Sequence, residues 1–269
     1  MIAVVTDSSV GYSSAEIADR GIVRVVPLNY EIGGKTYEEK ASDKNGTFLP
    51  ALASSVCKTA QPTLNNFIRT FSSLVEKGCD VICIVLSASL SGTYSSAKFA
   101  ASQVGGKIYV LDSRTIGDAM HLLVDEAVNL VKAGIGFDRA VEMLEELKSK
   151  IGIVFSVETL ENIVRGGRLN TNKAKTNLNF RPVFELKAKI LFKGNYRGPR
   201  ERLEEMISLI PEGVRRIIVS RCGESTDVSA LTAMLKERFP AVYIHQRVVG
   251  PVLSIHVGAG AFGVSYVLR

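Results

Sequence analysis

The chain has 269 residues, 46% of them hydrophobic, and a formal charge of +6 with no tryptophan. That length supports a substantial buried core and points to two domains, because single cores stop growing near this size. Its basic residues are scattered among acids, with no Lys/Arg block and no basic stripe interleaved with aromatics. This argues against nucleic acid and for a protein partner or an acidic ligand. No apolar run approaches the roughly 18 residues of a membrane span, and Met1 to Val5 leads straight into Thr6-Asp7-Ser8-Ser9, unlike a signal peptide. A cytoplasmic protein is expected.

In chain order, Ile2 to Val5 reads as a short apolar strand followed by a hydroxyl-rich loop. Ser13 or Ser14 caps a helix running to about Arg20, Ile22 to Leu28 gives a strand, and Tyr30 to Tyr37 gives a hairpin around Gly33-Gly34. Gly34-Lys35-Thr36 resembles the end of a phosphate loop, but Asn29 stands where its first glycine belongs. Phe48, Leu49, Leu52, Ala53 and Val56 form a helical stripe, and Thr59 to Thr63 reads as a punctuating loop. Leu64, Phe67, Ile68, Phe71, Leu74 and Val75 then repeat at helical spacing, with Thr63 as the cap.

The most informative stretch is Val81 to Ala101. Val81 to Leu86 is apolar without alternation, as in a parallel strand buried on both faces. Ser87 to Thr93 follows with four hydroxyls and a glycine before a helix begins. Ligands of open α/β sheets sit beyond the carboxyl ends of the strands, at helix N-termini. Ser91 and Thr93 can therefore donate to an anion, and Gly92 lets backbone come close; the alternative is that Ser91 is simply a helix cap. Lys107 to Leu111 makes a further strand, ending at Asp112-Ser113, and helices follow at 117–133 and 137–149. This alternation predicts a parallel sheet with helices on both faces.

Beyond Lys150 the texture changes. Strands are expected at Ile153 to Val157, Val183 to Leu186, Ile190 to Phe192, Arg216 to Ser220, Val242 to Gln246, Val252 to His256 and Phe262 to Leu268. Helices are expected at Thr159 to Val164, Pro199 to Ile210 and Asp227 to Phe239. Gly258, Gly260 and Gly263 spell a dinucleotide fingerprint, but the helix, strand and acid it requires do not follow. These glycines instead let backbone pass close to a neighbour or a ligand, and His256 is either a hydrogen-bond donor there or a structural histidine.

Cys57, Cys79, Cys83 and Cys222 show no metal or redox spacing, and His121, His245 and His256 are widely separated. No metal is expected, and the cysteines read as reduced. A serine hydrolase is disfavoured, since Ser89 lacks the flanking glycines of a nucleophile elbow. A phosphosugar-binding enzyme of isomerase type would also use Ser/Thr loops as an anion site, but it needs an acid/base pair, and only His256 offers itself.

The order of Thr6-Asp7-Ser8-Ser9, Val26-Pro27-Leu28, Thr59-Ala60-Gln61-Pro62-Thr63, Leu90-Ser91-Gly92-Thr93-Tyr94, Asp112-Ser113, Gly166-Gly167-Arg168, Tyr196-Arg197-Gly198 and Gly250-Pro251 through His256 to Gly260 resembles the DegV family of bacterial fatty-acid-binding proteins. The likeness runs over nearly the whole chain. It implies a two-domain α/β fold: residues 1–150 with a parallel sheet and helices on both faces, and residues 151–269 with a mixed or antiparallel sheet closing a lipid tunnel. It implies one long-chain fatty acid as ligand, its carboxylate gripped by hydroxyls, with no cofactor and no catalysis by this chain alone. In the family a separate kinase subunit phosphorylates the bound carboxylate to acyl phosphate for phospholipid synthesis, a task compatible with transient membrane contact. Carried over by motif, Thr59 and Ser91 grip the carboxylate, with Gly92, Thr93 and His256 beside them, and Arg168 and Arg197 face the partner or the phosphoryl group. Ala60 stands where the family usually has serine, Ala259 where it has proline, and Thr176 to Arg181 departs from the family pattern.

Overall fold

A computed structural model describes residues 1–39, 41, 48–169 and 180–269. Its first sheet contains β1 (Ile2–Asp7), β2 (Val23–Val26), β6 (Asp80–Val85) and β7 (Ile108–Asp112) in the order β2-β1-β6-β7, all parallel. The apolar runs are continuous because both faces are covered. Val4, Ile82, Ile84 and Leu111 pack on the side of α5 (Gly117–Lys132) and α6 (Phe137–Leu147). Val5, Val81, Cys83 and Val110 pack on the side of α3 (Leu64–Val75) and α4 (Thr93–Val104). Helix α1 (Ser14–Arg20) starts with a full capping box: Ser13 accepts from the Glu16 amide, and Glu16 accepts from the Ser13 amide.

A small antiparallel sheet, β4-β3-β5, is attached to this domain. β3 (Leu28–Ile32) and β4 (Lys35–Glu39) are the expected hairpin. The helical stripe after Phe48 is shorter than its spacing suggests: α2 is Leu49–Ser54, and Val56 lies outside it, exposed. Residues Cys57–Ala60 then form β5 rather than a loop. This four-residue strand has no apolar alternation to announce it; it exists because β3 offers an edge, pairing Tyr30 with Thr59.

The second sheet runs β10-β9-β8-β13-β11-β12 and is mixed. Its strands are β8 (Ile151–Ser156), β9 (Arg181–Lys187), β10 (Lys189–Tyr196), β11 (Val214–Arg221), β12 (Tyr243–Val248) and β13 (Phe262–Leu268). α7 (Glu161–Arg165) follows β8, while α8 (Pro199–Ser208) and α9 (Thr226–Arg238) cover one face around Val154, Ile217, Val219 and Val264. The opposite face meets α5, which is buried along most of its length because it is wedged between the two sheets.

One expected strand is a helix: α10 spans Pro251–Val257. Pro251 sits at its first turn, Val252 and Ile255 are buried three residues apart, and the Glu39 carboxylate accepts the Val252 amide at 3.0 Å. Branched residues made this segment look extended; a carboxylate more than 200 positions away caps it. Most of the departure from the family pattern at Thr176 to Arg181 lies outside the described residues; Arg181 opens β9.

Candidate ligand-binding site

Between the two sheets lies one large cavity with an empty volume, mouth included, of about 1150 Å³. Its walls are mainly apolar. Leu28, Leu86, Leu90 and Ile116 come from the first domain, and Ile153, Phe155, Leu186 and Ile190 from the second. Both hydroxyls singled out by motif, Thr59 and Ser91, line this cavity, together with His256 and Arg168.

Each arrives on a different element. Thr59 is carried by β5, and its hydroxyl lies 2.8 Å from His256 Nε2 near the end of α10. Burial, reinforced by the charges of Arg168 and Arg165, pushes the imidazole down to about 4. His256 is therefore neutral at pH 7 and adds no charge to the cavity. With its proton on Nε2, it donates to Thr59 and leaves the threonine free to donate into the cavity. The ring fits because Gly166 faces it: a Cβ there would lie 2.8 Å from His256 Nδ1. The short helix α7 can thus close over the site only with glycine at its end.

Ser91 is held at the turn between β6 and α4. Its oxygen lies 2.9 Å from the Thr93 hydroxyl and accepts the Thr93 amide at 3.3 Å. Ser91 is thus a partial cap as well as a cavity residue, and Gly92 occupies the cap position itself. Thr93 is fully buried and supports Ser91 from behind rather than lining the wall. A Cβ on Gly92 would meet the side-chain amide of Gln61, which would have to shift from its place donating to Ser96 at 2.9 Å. Arg168 reaches across from the second domain, donating from Nε to the Leu90 carbonyl at 3.1 Å and from its guanidinium to the Gly166 carbonyl. Its exposed guanidinium is a cation at this end of the cavity, as is that of Arg165, whose charge also reaches His256.

Arg197 is not brought there: it is exposed, with its guanidinium 4.7 Å from the Phe180 ring centre, and does not line the cavity. Sequence reasoning missed Gln61, Ser220, Cys222 and Ser265, which also line the wall. Only Gln61 had a signal, its place in the Thr59 to Thr63 motif. Among the described residues no group of three or more His, Cys, Asp or Glu could hold a metal ion, and no helix is long and apolar enough to cross a membrane.

The profile of the DegV family, described as "Uncharacterised protein, DegV family", matches residues 1–269. The chain belongs to the DegV family. A DegV domain-containing protein of Streptococcus pyogenes is 34% identical over 278 residues, covering 98% of this chain and 97% of its own. A DegV family protein from Thermus thermophilus, described by its fatty acid binding, is 28% identical with a TM-score of 0.89, over 100% of this chain and 99% of its own. The Streptococcus pneumoniae Fatty Acid Kinase (Fak) B3 protein, loaded with linoleic acid, shares the fold at 20% identity and a TM-score of 0.85, over 100% of both chains. The two-domain DegV architecture accounts for the parallel first sheet, the mixed second sheet and the cavity between them.

Proposed function

We propose that this chain binds one long-chain fatty acid, of roughly 14–18 carbons, in the inter-sheet cavity and offers its carboxylate to a separate kinase subunit. The carrying observation is that a mainly apolar cavity has Thr59, Ser91 and a neutral His256 in its wall, with Arg168 beside them. A carboxylate there accepts from both hydroxyls, while each buried CH₂ of the tail contributes about 0.8 kcal/mol. The fatty acid binding described for the Thermus thermophilus relative supports the ligand class. The kinase role draws on the likeness in fold to the fatty acid kinase B3 protein and on the exposed guanidinium of Arg168. Acyl phosphate formation then belongs to the partner, and this chain is a lipid-binding subunit rather than an enzyme. A phosphosugar-binding enzyme fits less well, since its ligand has no use for a wall of leucines and isoleucines.

Mass spectrometry of organic extracts from the denatured protein tests the ligand class. A fatty acid of the stated length, near one per chain, is expected. Only water-soluble phosphorylated ligands, or no uptake after fatty acids are added, would overturn the reading.

A further inference from the structure

The cavity floor contains a polar spot that a plain acyl chain leaves unused. β8, β13 and β11 lie side by side, and their register sets Ile153, Ser265 and Ile218 in one row across the sheet and Phe155, Gly263 and Ser220 in the next. Cross-strand partners share a face, as do residues two apart along a strand. All six side positions therefore look the same way, and Ile153, Phe155, Ser220, Gly263 and Ser265 line the cavity. The row beyond, Ile151 and Val267, is covered by Leu122 of α5, which places Ser265 next to the closed end.

Ser265 is 2% exposed; no hydrogen bond of its hydroxyl is found among the described residues, and it is not one of the fully sealed polar atoms, so its remaining exposure is to the cavity. Buried hydroxyls are nearly always partnered. On the diagonal across the strand pair, roughly 7 Å away, Ser220 donates to Asp118 Oδ2 at 2.5 Å. Asp118 is fixed in turn by Arg247 Nε at 3.0 Å. The Ser220 proton is thus committed, but its oxygen can still accept. Between the two serines Gly263 presents no side chain, so a ligand can lie flat on the sheet; a Cβ there would stand 3.0 Å from the Phe155 Cβ. One free donor and one oriented acceptor, flanking a bare strip of backbone, match a single hydroxyl group.

We infer that this cavity selects a hydroxylated acyl chain, whose mid-chain or tail O–H donates to Ser220 and accepts from Ser265. The inference rests on the fatty-acid reading above and specifies the ligand within it. It also assigns a role to two serines that the carboxylate grip does not use.

Calorimetric titration with octadecanoic acid and with a series of its positional hydroxy isomers tests it. At least one isomer binds the wild-type chain about tenfold more tightly than octadecanoic acid. In Ser265→Ala the ratio of the two affinities, taken within the variant so that any change in the cavity wall affects both acids, shrinks to about twofold or less. If octadecanoic acid binds and no hydroxy isomer exceeds it, or if the preference survives in Ser265→Ala, the inference is overturned and the fatty-acid reading stands. If none of the acids binds, both fall.

Discussion

Two hydroxyl-rich loops leave the first sheet at the same edge, Ser8-Ser9 after β1 and Ser87 to Ser91 after β6, and they meet different fates. In the first, every group is engaged. Asp7 accepts from the Ser9 amide at 3.0 Å, the Ser9 hydroxyl at 2.6 Å and the Leu86 amide at 2.7 Å. Ser8 donates to Glu39 at 2.9 Å and accepts the Leu28 amide at 2.9 Å. In the second loop, Ser87 and Ser89 donate to the Ala188 carbonyl at the tip of the β9–β10 hairpin, clamping the two domains together. Of its hydroxyls only Ser91 lines the cavity, and Thr59, the other hydroxyl proposed to meet the ligand, comes from a different sheet. Hydroxyl-rich composition therefore does not mark a binding site. What matters is whether the proton is already committed, and distant residues such as Glu39 and Leu86 decide that.

Breaking the first loop should have the largest effect, and on stability alone. Asp7→Ala leaves the buried Leu86 and Ser9 amides without an acceptor, a loss of about 3 kcal/mol. Urea denaturation should register it, while fatty acid affinity of the folded protein stays within about twofold. Removing the hydroxyls proposed to grip the carboxylate should do the reverse. Thr59→Val or Ser91→Ala removes one donor from the carboxylate, costing about 1.5–3 kcal/mol of affinity, roughly ten- to hundredfold. Their melting temperatures should fall only modestly, through the lost Thr93 cap bond in one and the lost His256 bond in the other; wild-type affinity with a sharp fall in stability would make these hydroxyls helix caps instead. On the proposed shared carboxylate the double variant should lose less than the sum, and a double-mutant cycle measures that coupling.

The contrast also has a pH signature. Burial, with the neighbouring Asp7 charge adding repulsion, pushes Glu39 up to about 7 from an ordinary 4.5. The folded chain thus holds a proton that the unfolded chain has released. The associated stability is full below about 4.5 and is lost as pH rises through 7. His256, down at about 4, acts in the opposite direction across pH 6 to 8, where an unfolded imidazole near 6.5 releases its proton, and Asp7, up at about 6, acts in the same direction as Glu39; both are present in wild type and in Glu39→Gln alike. Between pH 6 and 8 wild type should therefore lose on the order of 1 kcal/mol relative to Glu39→Gln. An equal pH slope in the two proteins, measured by denaturation, would show that Glu39 is already ionised in the folded state at pH 6.

The same contrast explains what could be read from sequence. β1 and β6 were legible because a strand covered on both faces must be apolar throughout. The helix caps at Ser13 and Thr63 were legible because capping is local; both accept the expected amides. β5 and α10 were not, because β5 depends on an edge supplied by β3 and α10 on a cap supplied by Glu39. The family motifs single out Thr59, Ser91, Arg168 and His256, and all four line one cavity. By spacing alone Thr59 is an ordinary loop residue, since its partner His256 is 197 positions away. Ser220 and Ser265 carried no signal at all, because only the pairing of β11 with β13 brings them to one face.

The central claim is that Thr59 and Ser91 hold a carboxylate rather than simply border an apolar tunnel. Titrating wild type and Thr59→Val with a long-chain acid and with its methyl ester tests this most directly. Wild type should prefer the acid at least tenfold, and the preference should fall by about that factor in the variant. Equal affinity of wild type for acid and ester, or an undiminished preference in Thr59→Val, would contradict it.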